Sequence, residues 1–152
     1  MGDIFNEDFQ DFLKALLKAN VDFILVGGYA VILHGYSRTT GDMDVWVDRT
    51  QTNYKKLTLA FQYFGMPVFD MTEGKFLDVK NFDVFSFGVE PRQIDILTKV
   101  KGLNFKESFG NAKLIDVEGI PLNMLSREDL ILAKRAAGRH RDLDDIENLE
   151  SE

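Results

Sequence analysis

Apolar residues recur every three or four positions from Glu7 to Lys18, where Phe9, Phe12, Leu13, Leu16 and Leu17 stand among charged side chains. That spacing predicts an amphipathic helix, and Asn6 is placed to cap it. Residues 21–26 are a short apolar run ending at Gly27-Gly28, which reads as a buried strand. Residues 29–34 then read as a helix entered through the glycines, and 35–41 as a turn-rich loop. From Met43 to Val47 polar and apolar residues alternate, the period of a strand. Residues 53–64 carry Leu57, Ala60, Phe61 and Phe64 as a helical stripe. The stretch 65–83, with Pro67, Gly74 and scattered aromatics, predicts no firm element. Val84–Phe87 and 93–97 read as two strands joined as a hairpin through Gly88-Val89-Glu90-Pro91-Arg92. Lys113–Val117 and 120–123 suggest a second hairpin around Glu118-Gly119. Ser126 caps a helix that runs to Ala137 and stops at Gly138, and a last helix covers about 142–149.

This order predicts an α/β (α+β) domain with a central mixed sheet flanked by helices, ending in C-terminal helices. No repeat or linker interrupts the chain. The whole of 1–152 therefore reads as a single domain, with its core at about 21–123 and the C-terminal helices at about 126–150.

Composition narrows the chemistry. The 152 residues contain no cysteine, which excludes disulfides, thiolate metal sites and cysteine nucleophiles. Two histidines, His34 and His140, argue against a His-rich metal site. A net charge of −7 argues against non-specific nucleic-acid binding, which runs on phosphate neutralisation. The first residues lack the basic region and apolar run of a signal peptide, and no stretch is long and apolar enough to span a bilayer. A soluble cytoplasmic protein without membrane attachment is expected.

Four features carry candidate chemistry. In Asp42-Met43-Asp44-Val45-Trp46-Val47, alternation sends Met43, Val45 and Val47 to the core and Asp42 and Asp44 to the other face. In Gln93-Ile94-Asp95-Ile96-Leu97, Asp95 stands between two isoleucines. If the two strands are neighbours, three carboxylates converge, and a hard cation such as Mg²⁺ would relieve their repulsion. Taken alone, an Asp-x-Asp is more often a pair of solvated loop and strand-edge residues, and Asp95 alone would be unremarkable. Gly27-Gly28 between strand and helix would let a phosphate approach the backbone, or would simply make a tight turn. Ser37-Arg38-Thr39-Thr40, just before the acidic strand, could supply a phosphate-binding Arg38. The run from Lys134 to Arg141 is the densest basic patch; Lys134, close to the apolar stripe of its helix, stands out from ordinary charges at a helix C-terminus.

An apolar residue, Gly27-Gly28, then Asp42-Met43-Asp44-Val45, with Asp95 on a later strand, resembles the nucleotidyltransferase superfamily typified by DNA polymerase beta. Lys134-Arg135 followed by Arg141-Asp142-Leu143-Asp144-Asp145-Ile146 resembles its small stand-alone branch, which includes the abortive-infection nucleotidyltransferase toxins. The resemblance implies a nucleotidyltransferase-like fold and a nucleoside triphosphate, ATP among the options, as donor. It implies Asp42, Asp44 and Asp95 as catalytic acids and Mg²⁺ ligands. Gly27, Gly28, Arg38, Thr39 and Lys134 would bind the nucleotide, joined by a late aspartate for which Asp142 and Asp145 both qualify. Many members have Gly-Ser where this chain has Gly27-Gly28, so backbone groups, Arg38 and Lys134 must serve the phosphates. The acceptor would be a hydroxyl on an RNA end, a protein or a small molecule, with a toxin–antitoxin setting and an antitoxin or toxin partner among the expectations. The alternative is an inactive antitoxin or regulatory subunit on the same fold.

Overall fold

The computed structural model describes residues 4–36 and 40–150. Six strands form one mixed sheet in the order β3-β4-β2-β1-β6-β5. These are β1 (Phe23–Val26), β2 (Met43–Val47), β3 (Val84–Phe87), β4 (Ile94–Leu97), β5 (Lys113–Val117) and β6 (Ile120–Met124). The predicted hairpins form as antiparallel pairs, β3 with β4 and β5 with β6. β1 runs antiparallel to β2, whereas β2–β4 and β1–β6 are parallel.

Alternation along the strands gives the sheet two cores. Phe23, Leu25, Met43, Val45, Val47, Ile94 and Ile96 face one side. There α1 (Glu7–Lys18) and α3 (Gln51–Phe64) cover them, with Phe12 edge-on to Phe61 at 5.6 Å. Asn6 caps α1 by accepting the Phe9 N–H at 2.8 Å. Asn53, buried in the first turn of α3, accepts the Asp22 N–H and donates to the carbonyls of Asp22 and Asp48. That clamp ties the start of β1 to the end of β2.

Ile24, Val26, Trp46 and Met124 face the other side. They pack against α2 (Gly27–Leu33), α6 (Arg127–Ala137) and α7 (His140–Glu150). This modifies the expectation for β2. Asp44 and Trp46 do share the face turned away from the first core, but that face carries a core of its own, and Trp46 is buried edge-on to Phe105. The acids therefore open into a cleft, not onto a free surface.

Other differences are local. α2 begins at Gly27 itself, two residues before the expected start. Two short helices, α4 (Glu73–Phe76) and α5 (Phe105–Asn111), were not anticipated. Ser126 caps α6 by accepting the Asp129 N–H, and Gly138 ends it in the left-handed conformation at φ 67°. α7 starts at His140, two residues before the expected start, because its first turn is charged and has no apolar residue before Leu143 to announce it. Among the described residues no helix is long and apolar enough to cross a membrane.

Candidate active site

The parallel register of β2 and β4 decides where the acids meet. Asp44 is the direct cross-strand partner of Asp95, so both side chains leave the sheet on the same face. Asp42, one residue before β2, turns back and accepts the Gln93 N–H at 3.1 Å. The three carboxylates line one cleft of about 350 Å³, together with Gly28, Thr40, Gly41, Glu90 and Pro91. Lys134, Arg139 and Arg141 form its cationic side.

The acids differ in their surroundings. Asp95 Oδ1 accepts from Ser86 Oγ at 2.7 Å and from Gln93 Nε2 at 2.8 Å, which fixes its orientation. Asp44 is half-buried, between Asp95 and the Gly27 backbone. Burial, then the neighbouring Asp95 charge and contact, push its carboxyl up to about 7, and Asp42 adds to this while Lys134 opposes it. The same Asp42 charge, after burial, raises the Tyr29 hydroxyl.

Gly27 makes the enclosure possible. It has φ +71°, and a Cβ at this position would overlap Asp44 Oδ2. Glycine is required on both counts, conformation and space. Gly41 is similarly pressed, since a Cβ there would come within 2.7 Å of the Pro91 carbonyl oxygen.

Lys134 is buried on α6 and is held by two carboxylates of α7, Asp142 at 3.3 Å and Asp145 at 3.2 Å. Asp142 also accepts from Arg139 Nε at 2.7 Å. Burial acts to raise the Asp142 carboxyl, but the Arg139 hydrogen bond and the charges of Lys134 and Arg139 outweigh it, leaving the group below its ordinary range. Hydrogen bonding to Asp142 raises Arg139 in turn. Both late aspartates thus address the lysine, in a buried network contributed by α6 and α7.

The donor set suits a hard cation. Among the described residues no three acidic or histidine side chains gather tightly enough to enclose an ion unaided. Mg²⁺ is usually held by one or two carboxylates, with substrate phosphates and water completing the shell. Asp44 and Asp95 in mutual contact, with Asp44 driven toward protonation, are a pair that a divalent cation would relieve.

A family model described as a nucleotidyltransferase of unknown function (DUF6036) matches residues 6–150. The chain belongs to this family. No curated protein matches it significantly. Among solved structures, it is similar to the antibiotic-resistance factor ANT(2'')-Ia in solution, with a TM-score of 0.59 at 13% identity, covering 95% of this chain and 81% of that one. At that identity the likeness establishes the nucleotidyltransferase-like fold.

In this member of the family, the expected residues Gly28, Asp42, Asp44, Asp95 and Lys134 are brought together around one cleft. Gly27 sits against Asp44, and Asp142 and Asp145 stand at Lys134. Arg38 and Thr39 lie outside the described residues. Ser86, Gln93 and Glu90 were not singled out from the sequence. Alternation could have found the first two: Gln93 is two residues before Asp95, and the β3–β4 hairpin pairs Ser86 with Asp95.

Proposed function

We propose that the protein transfers a nucleoside monophosphate from a nucleoside triphosphate to a hydroxyl acceptor in an Mg²⁺-dependent reaction. The observation that carries this reading is the cross-strand pair Asp44–Asp95 facing the buried Lys134 across one cleft. The family supports the reaction type.

In this reading Asp42, Asp44 and Asp95 would hold the cation together with phosphate oxygens of the donor. A cation held there would neutralise charge on the triphosphate and on the acids. Lys134, Arg139 and Arg141 hold phosphate oxygens from the opposite wall, and the backbone at Gly28 approaches them. Asp95, oriented by Ser86 and Gln93, accepts the proton of the acceptor hydroxyl. The acceptor oxygen bonds to the α-phosphorus, the bond from that phosphorus to its bridging oxygen breaks, and pyrophosphate leaves. Asp142 and Asp145 act through Lys134 by fixing its ammonium. Catalysis is then mainly positioning and charge stabilisation.

The test is calorimetric titration of the four nucleoside triphosphates, with Mg²⁺ and with chelator, on wild type and Asp44→Asn, paired with a pyrophosphate-release assay. The expected result is Mg²⁺-dependent binding that the variant loses, with turnover down at least about a hundredfold. Full activity in folded Asp44→Asn would sink the assignment. Binding without turnover against RNA, protein and small hydroxylated acceptors would favour an inactive regulatory or antitoxin-like subunit.

A further inference from the structure

The two edges of the sheet are built differently. β5, at one edge, carries Lys113 and Asp116. Charged side chains guard an exposed edge against pairing with another strand. β3, at the other edge, reads Val84-Phe85-Ser86-Phe87, with neither charge nor proline and in unbroken register with β4.

The ladder shows which backbone groups that edge offers. The Thr98 N–H donates to the Asp83 carbonyl at 2.9 Å, in the register that pairs Val84 with Leu97. Hydrogen-bonded pairs alternate along an antiparallel ladder. Phe85 and Phe87 therefore direct their N–H and C=O groups to β4, and Val84 and Ser86 turn theirs to the open edge. Among the described residues, no backbone hydrogen bond from elsewhere in the chain reaches Val84 or Ser86.

A groove of about 460 Å³ runs along β3, and residues 68–71 with Lys75 form its other wall. Its charged groups are one acid and one base, Asp70 and Lys75, so it favours neither sign. Phe69 on that wall is exposed, as is Val84 on β3. Five of the eleven exposed large apolar side chains among the described residues, Phe69, Leu77, Val79, Val84 and Val89, fall within residues 69–89. Scattered singly they would need no explanation; gathered in the stretch that forms an open edge, they mark an interaction surface.

We propose that β3 is a docking edge, which takes an extended, uncharged segment of a partner protein as a seventh strand. Main-chain hydrogen bonds to Val84 and Ser86 supply affinity, and the apolar wall at Phe69 selects side chains. The 68–75 wall favours a lone extended segment over a second copy of this chain, whose own β3 would arrive with the same wall beside it. Asp44, Asp95 and Ser86 are successive cross-strand partners in one row. A docked strand continues that row, so its side chain opposite Ser86 stands on the face of the acids. The partner is thus held at the mouth of the cleft, although the docking itself does not depend on the transfer reaction.

In the experiment, random peptides displayed on phage are selected against the whole chain, without nucleotide or metal, and the best binder is resynthesised. At saturation with that peptide, amide exchange followed by NMR should slow at Val84 and Ser86 by about tenfold or more, and change little at Phe85 and Phe87, which already bond β4. Val84→Pro removes one outward donor without breaking the ladder, since proline is tolerated at such an edge position. It should weaken the peptide by about tenfold. Phe69→Asn suits the left-handed backbone there, at φ 51°, and removes the apolar wall. It should weaken the peptide by about threefold or more, and it carries the test if melting curves show Val84→Pro unfolded. A selection that yields no binder overturns the docking edge, as does a binder that leaves the Val84 and Ser86 amides unchanged. Self-association of wild type that Val84→Pro abolishes gives the edge to a second copy and overturns it too. Each of these failures leaves the nucleotide titrations, and the transfer reading with them, standing.

Discussion

Asp44 concentrates the physical conflict of the molecule in one side chain. Folded, it keeps its proton up to about pH 7; unfolded, it would lose it near the ordinary carboxylate value of 3.8. Between those values the folded state binds more protons, so this group's contribution to stability falls as pH rises through the window. Above pH 7 the folded chain bears a buried charge beside two others. Metal-free Asp44→Asn should therefore melt several degrees above metal-free wild type at pH 8, and the gap should close toward pH 5. Mg²⁺ should raise the wild-type melting temperature at pH 8 and leave the variant nearly unmoved. A variant that is less stable than wild type at pH 8 without metal would contradict this account of the site. Gly27 makes the complementary case. Gly27→Ala forces a left-handed non-glycine residue, at about 1–2 kcal/mol, and pushes into the Asp44 carboxyl. The expected outcome is a folded protein whose Mg²⁺-dependent nucleotide binding is lost, checked by the same titration.

At the scale of elements, the site depends on helices far along the chain from the acids. α6 brings Lys134 to the cleft, and α7 supplies both carboxylates that hold it. Breaking a buried ion network by removing one partner costs about 3–5 kcal/mol, because the remaining charges stay buried. Asp142→Ala, which leaves Lys134 with Asp145 alone and frees Arg139, should lower unfolding stability by up to about 3 kcal/mol in denaturant melts. Lys134→Met, which removes the ammonium that Asp142 and Asp145 share, should cost at least as much and leave the protein inactive. The sheet and its acids were legible in the sequence because strand periodicity is strong there. β2, β3, β5 and α1 fall where the pattern put them, and the apolar neighbours of Asp44 and Asp95 showed which way each acid must face. The choice between Asp142 and Asp145 was not legible, since both point to Lys134 and only the packing of α7 on α6 shows it. α4 and α5 escaped because each is at most two turns long, too short for a helical period to register. The second core escaped because Trp46 shares the alternation of Asp44, and a sequence cannot say what covers that face.

For the molecule as a whole, the two faces of the sheet divide the work. The α1–α3 side is a continuous apolar core rich in Phe, while the α6–α7 side is a smaller core that grades into the charged cleft. Leu149, fully buried near the end of α7, anchors that second layer. Leu149→Ala should cost about 2–5 kcal/mol in a melt. It should also weaken nucleotide binding in titrations below the melting range, because loosening α7 loosens Lys134. A Leu16→Ala change on the other face should cost similar stability and leave nucleotide affinity untouched. That contrast tests whether the binding function belongs to one layer of the fold.

The chain has a single tryptophan, and it is Trp46, on the same strand and the same face as Asp44, buried where the second core adjoins the cleft. Its indole N–H has no hydrogen-bond partner among the described residues. The protein therefore carries its own optical reporter. Ion or nucleotide arriving two residues away changes the electric field across the only indole in the molecule, so occupancy can be followed by intrinsic emission, without a label and on the timescale of mixing.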